Sequence, residues 1–470
     1  MFLKHRNALI VTAVALLIQG CNTVPLRNAP LEHYSENSGY RYQNIAPAPS
    51  NSDSLSVIMT FSGGGTRAAA FSYGVLEKLR DTEIVWEGQR RRLLDEVDVI
   101  SSVSGGSLPA AYYALFGDQI FEQFPEKVLY RDIQGDIISD FFSPFKWPKL
   151  LSPFYGRTDM MADDFTKNVF EGKTFGDLLA RNQRPFIVLN STDASLGSRF
   201  DFTQRQFDLL YSDLSVYPVG HAVAASAAFP GLLTPVTLKN YPKGENYVTP
   251  QWVQEELQSG DVNRLRHRQA LEAQTYIQPG RPYIYLSDGG VSDNLGVLPA
   301  IQLLANTYPG DGNQSVVTGE QVKKVIVITV NAKVASEAEW DDTGKGLGLF
   351  KVLGMATSTP MGNFSEAEMV LLKMVMGQLG AKREMRDRIA GVYGEEAIAQ
   401  HFPELDVPAI DYELVEVEFG GVADEAERNY LNTIPTAFKL EREQVDRLRK
   451  AATTILDANP DYASLLDTLK

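Results

Sequence analysis

Three short stretches of this chain carry residue types suited to acyl transfer. Ser104 stands in Ser102-x-Ser104-x-Gly106, directly after the apolar run Val97-Asp98-Val99-Ile100-Ser101-Ser102-Val103. A serine hydroxyl becomes a nucleophile when a base takes its proton and preorganised donors hold the oxyanion that forms. A sharp turn from strand to helix exposes the serine oxygen and aims the next backbone N–H at the group under attack. The usual form of that turn is G-x-S-x-G, and here a serine fills the first place. The second stretch is Ser62-Gly63-Gly64-Gly65-Thr66-Arg67. The third is Asp288-Gly289-Gly290.

The flanking residues predict the elements that must hold these groups. Val97–Val103 reads as a buried strand and Leu108–Leu115 as the helix after it. Leu55–Phe61 reads as a strand and Ala68–Leu79 as a helix, with the three glycines between them. Bare backbone N–H groups at a helix N-terminus suit a negative charge. That makes the loop an oxyanion hole, a phosphate loop or a plain turn. It lacks the G-K-[S/T] ending of a P-loop, and Ala68 stands where a dinucleotide fingerprint has its third glycine. Arg67 beside it either reaches an anionic head group or forms an ion pair. Asp288 follows the strand-like run Pro282–Leu286. An acid at the carboxyl end of a strand lies at the mouth of an α/β sheet, where ligands bind; the alternative is an Asp-Gly turn. Lys323–Val330 is the clearest buried strand, and the fold class is α/β.

The chain has 470 residues, with 59 acidic side chains against 44 basic ones and a net charge of -15. Nucleic-acid binding needs clustered Lys and Arg, so the balance argues against that partner. It also argues against loose adsorption to anionic lipid. At the N-terminus, Lys4, His5 and Arg6 precede an apolar run from Ala8 to Ile18, too short to span a bilayer. Leu17-Ile18-Gln19-Gly20-Cys21 resembles the lipobox of bacterial lipoproteins. That resemblance implies cleavage before Cys21 and lipidation of its thiol. Cys21 is the sole cysteine, which excludes an internal disulfide. Asn22 after it points to the outer membrane, facing the periplasm. Residues 21–53, rich in Asn, Pro and Ser, read as a tether.

Taken in order, Gly63-Gly64-Gly65-x-Arg67, Ser102-x-Ser104-x-Gly106 and Asp288-Gly289-Gly290 resemble the patatin-like phospholipases. Ala222-Val223-Ala224-Ala225-Ser226-Ala227-Ala228-Phe229-Pro230-Gly231 looks like the small-residue segment of that family. The likeness covers roughly residues 54 to 300, with Val325–Ala332 as a later sheet strand. It implies a three-layer sandwich with a mostly parallel sheet and a catalytic domain over 54–334, preceded by a signal peptide over 1–20. It further implies a Ser104–Asp288 dyad without histidine, and oxyanion donors on Gly63, Gly64, Gly65 and Gly105. The implied substrate is a phospholipid or another acyl-ester lipid, bound with help from Arg67, with no cofactor and no metal. An acyltransferase using the same dyad and a non-catalytic lipid-binding lipoprotein are the alternatives. Of His5, His33, His221, His267 and His401, only His401 follows Asp288, and its polar surroundings read as surface.

Elsewhere, the aromatics of residues 118–175 read as core, with a lid or lipid-facing loop as the alternative. Residues 244–275 are polar and suit a surface insertion. Residues 335–470 are expected to form a mainly helical extension packed on the sheet, including a helix over Glu441–Leu456.

Overall fold

In a computed structural model of the chain, the described residues are 24–143, 147–150, 152–244, 247–259, 265–305, 317, 321–334, 349–402, 405 and 409–470. The signal segment and Cys21 lie outside them. An eight-stranded sheet forms the centre. Its strands in chain order are β1 (Leu55–Phe61), β2 (Val97–Val103), β3 (Phe186–Asp193), β4 (Ser198–Asp201), β5 (Val236–Lys239), β6 (Tyr283–Asp288), β7 (Lys324–Asn331) and β8 (Asp411–Glu418). In space the order is β8-β7-β1-β2-β3-β6-β5, with β4 beside β3. The pairs from β8 through β3 are parallel; β6 is antiparallel to both β3 and β5.

Every residue of β1, β2 and β3 is buried. Continuous burial is the mark of parallel strands covered on both faces. Helices supply the cover: α1 (Gly65–Arg80), α2 (Ser107–Phe116), α3 (Val219–Ser226), α4 (Gly290–Asp293), α5 (Leu298–Leu304), α6 (Leu349–Tyr393) and α7 (Arg442–Ala458). The expected mixed α/β sandwich is present. None of the helices among the described residues is long and apolar enough to cross a membrane.

Two expectations change. The tether does not hang free from residue 28 onward. Tyr40, Tyr42 and Ile45 are buried in the core, and Ala29–Pro30 pairs with Ser212–Asp213. The Tyr40 hydroxyl accepts the Ile187 N–H of β3 at 2.9 Å, and Arg41 forms a buried ion pair with Asp208. An aromatic ring removed from water is worth about 2–3 kcal/mol, enough to bind an otherwise polar segment to the domain. The C-terminal extension, expected to be mainly helical, also adds β8 to the sheet edge. Lys324 of β7 and Glu413 of β8 pair at 2.8 Å.

The polar stretch 244–275 forms two helices, Gln251–Gln258 and Leu265–Ile277, that bury Trp252, Val253, Ala270 and Ala273. Among the aromatics of 118–175, Phe124 and Tyr155 are core, while Phe142 is 70% exposed. Phe145 lies outside the described residues.

Candidate active site

The register of three strands brings the site together. β3 lies between β2 and β6. Val103 at the end of β2 pairs with Asn190, and Asp288 at the end of β6 pairs with Ser191. Because β6 runs antiparallel, its last residue meets the end of β2 from the opposite direction. Ser104 and Asp288 therefore face each other across β3.

Ser104 has φ +51°, a left-handed conformation that a side-chain-bearing residue adopts at a cost of about 1 kcal/mol or more. It opens a single turn, Ser104–Gly106, that feeds directly into α2. The turn is held from below. The Ser104 N–H donates to Ser226 Oγ at 2.8 Å, and that hydroxyl donates to the Asn190 carbonyl at 2.6 Å. Gly105 is obligatory for space: a Cβ there would stand 1.9 Å from the Gly65 carbonyl oxygen.

Asp288 accepts the Gly290 N–H at 2.7 Å, and the Ser104 hydroxyl stands close enough to favour its charged form. Thr192 Oγ1 donates to its backbone carbonyl at 2.8 Å. Burial pushes the Asp288 carboxyl up to about 6, against the pull of the Gly290 N–H and the Ser104 hydroxyl. A carboxylate with that value is ionised at neutral pH and basic enough to take a proton from a hydroxyl under attack.

The glycine loop lies against the serine turn. Gly64 has φ +141°, a region open in practice only to glycine. Gly64 is the N-cap and Gly65 the first residue of α1, where N–H groups have no helical acceptor. The Gly63 N–H, in contrast, is already donated to the Asn294 carbonyl at 2.9 Å. Of the expected donors Gly63, Gly64, Gly65 and Gly105, the first is therefore engaged elsewhere.

Arg67 departs further from expectation. It is 4% exposed, and its Nε and Nη1 donate to the carbonyls of Ala332 at 2.9 Å and Ile434 at 2.7 Å. Both acceptors are backbone carbonyls, and no carboxylate among the described residues pairs with it. Burial pulls the guanidinium down to about 10. It ties the loop to residues far down the chain, as does Thr66, whose N–H donates to the Ala437 carbonyl at 2.8 Å.

The described histidines are engaged or placed elsewhere. His221 Nδ1 lies 2.9 Å from Thr166 Oγ1, and burial pulls its imidazole down to about 4. His267 Nδ1 meets the Glu256 carbonyl at 2.8 Å. His33 and His401 are exposed. Among the described residues no cluster of His, Cys, Asp and Glu could hold a metal. Sequence reasoning did not single out Asn294 or assign Ser226 a role. Ser226 lies inside the small-residue segment, and Asn294 comes six positions after Asp288.

A family model described as patatin-like phospholipase matches residues 59–301, just over half of the chain. The chain belongs to the patatin-like phospholipase family. All three motifs fall inside the matched segment. No curated protein matches the sequence. Among solved structures, human GIVD cytosolic phospholipase A2 is similar at 13% identity and a TM-score of 0.39, over 89% of this chain and 60% of that one. The chain spans about 60% of that structure's length. In this member of the family, a buried serine, Ser102, stands at the first place of the turn, near the end of β2.

Proposed function

We propose that the chain is a serine acyl hydrolase of ester lipids with a Ser104–Asp288 dyad. One observation carries this reading: a left-handed serine at a strand-to-helix turn sets its hydroxyl beside a buried aspartate and favours that carboxyl's charged form. Ser104 Oγ attacks the ester carbonyl carbon while its proton passes to the Asp288 carboxylate. The oxyanion forms beside the N–H groups of Gly64, Gly65 and Gly105. The tetrahedral species collapses, and Asp288 returns the proton to the departing alcohol. Water then attacks the acyl-enzyme, with Asp288 again as base, and releases the fatty acid.

The experiment is product analysis on mixed phospholipid vesicles. Free fatty acid is expected from the wild-type protein. Gly64→Ala is expected to keep a cooperative melt and to release it roughly 100- to 1,000-fold more slowly, as for loss of an oxyanion donor. An acyl group recovered on an added alcohol in preference to water would reassign the chain as an acyltransferase. Equal rates in the two proteins would remove the loop from the mechanism.

The lipobox-like segment supports a lipid anchor on Cys21. More than one acyl chain gives stable membrane attachment, at about 0.8 kcal/mol per buried methylene. Cys21→Ser is expected to move the protein from the membrane to the soluble fraction on ultracentrifugation, and to lose metabolic palmitate label. A variant that stays labelled and membrane-bound refutes the anchor.

A further inference from the structure

Helix α6 lies beyond the segment that the family model matches, yet it packs against the turn that follows Asp288. A Cβ on Gly290, whose N–H holds Asp288, would stand 2.5 Å from the Met361 methyl carbon. The helix buries Ser365, Glu368, Leu372 and Met376, spaced three or four apart. Ser365 Oγ is satisfied by its own helix, at 2.8 Å from the Met361 carbonyl. Glu368 is the exception on this face. It is 3% exposed, neither carboxyl oxygen has a hydrogen-bond donor among the described residues, and the Asp293 carboxyl is the acidic group set against it.

Asp293, the last residue of α4, is 1% exposed. Its two oxygens accept the N–H groups of Val297 at 3.0 Å and Leu298 at 2.9 Å. The following residue, Asn294, takes the Gly63 N–H. Two ionised carboxylates have no donor between them, and burying both charges is prohibitive. One shared proton turns the same contact into a strong hydrogen bond. The backbone donors on Asp293 favour its ionised form, which leaves the proton on Glu368.

We infer that Glu368 is a positioning residue whose protonated carboxyl donates to Asp293 and clamps α6 onto α4, behind the turn that holds Asp288. The inference that this clamp serves catalysis rests on the proposed dyad. The charged groups acting on the pair are its own two members and Arg199 on β4, which favours the charge on Asp293. Glu366 on the same helix points away, to Lys333 at 3.0 Å. Burial and the Asp293 charge push Glu368 up to about 10. A carboxyl raised on folding stabilises fully below its unfolded value of 4.5 and loses that contribution as pH climbs towards about 10.

Glu368→Gln and Glu368→Ala test this in the full-length protein. Glutamine donates to Asp293 without a proton to lose. Between pH 8 and pH 10 the wild-type melting temperature is expected to fall by ~2 °C or more relative to Glu368→Gln. In the assay, Glu368→Ala is expected to lose kcat by roughly tenfold at pH 7 with KM unchanged, a loss that Glu368→Gln restores. Parallel melting curves for wild type and Glu368→Gln across that pH range overturn the clamp. The melting readout needs no turnover, so it stands or falls apart from the proposed activity. A wild-type kcat in a folded Glu368→Ala removes the catalytic role.

Discussion

Ser104→Ala is expected to fold like the wild type and to lose ester hydrolysis by roughly 10⁴-fold or more. The reason is local. The hydroxyl of Ser104 is the one aimed at Asp288, while its neighbours in the turn are engaged in structure. Ser226 Oγ, which holds the turn from below, is already a donor to the Asn190 carbonyl and an acceptor from the Ser104 N–H. It has no free proton for a base to take. The backbone bonds that hold the turn do not involve the Ser104 side chain, and alanine leaves them in place. A fluorophosphonate should add one mass adduct to the wild type, mapped to Ser104, and none to the variant. An adduct on a different serine, or turnover in Ser104→Ala near the wild-type rate, would sink the assignment.

Asp288→Asn separates activity from stability in opposite directions. The amide keeps the shape and can still accept from Gly290, but it cannot take a proton, and kcat is expected to fall by roughly 10²- to 10⁴-fold. The wild-type rate should rise with pH through about 6, the value to which burial pushes this carboxyl, and fall away below it. The variant's residual rate should not follow that profile. Stability moves the other way. A carboxyl raised from 3.8 to about 6 on folding favours the native state fully below its unfolded value, and its ionisation costs about 2–3 kcal/mol above its folded one. Asparagine carries no such cost. Calorimetry should show the variant gaining on the wild type between pH 4 and pH 8. A variant that melts lower at pH 8 than the wild type, relative to pH 4, refutes this account of the site.

The strands that carry the site were legible because each is a continuous apolar run ending in small residues. The turns were legible because glycines cluster where backbones approach, as Gly105 and the Gly65 carbonyl do. What escaped is long-range. Arg67 reads locally as a cation beside an anion-binding loop, but its acceptors lie 265 and 367 positions away. Tyr40 reads as one aromatic in a polar tether, and its partner on β3 is 147 residues distant. Glu368 looks like any charged residue on a long helix until Asp293 is placed against it. Periodicity reports which face of an element is apolar, and it carries no information on which polar group meets which across the fold.

The Arg67 guanidinium also bears on how this protein can be divided. Its two carbonyl acceptors, Ala332 and Ile434, both lie past the last residue that the family model matches. A fragment cut at residue 301 would leave a buried cation with no acceptor and the glycine loop without the strut at Ala437. The recognisable module is therefore shorter than the smallest working piece. Expression trials, chimeras and domain swaps should carry the tail through Ala437 and α7.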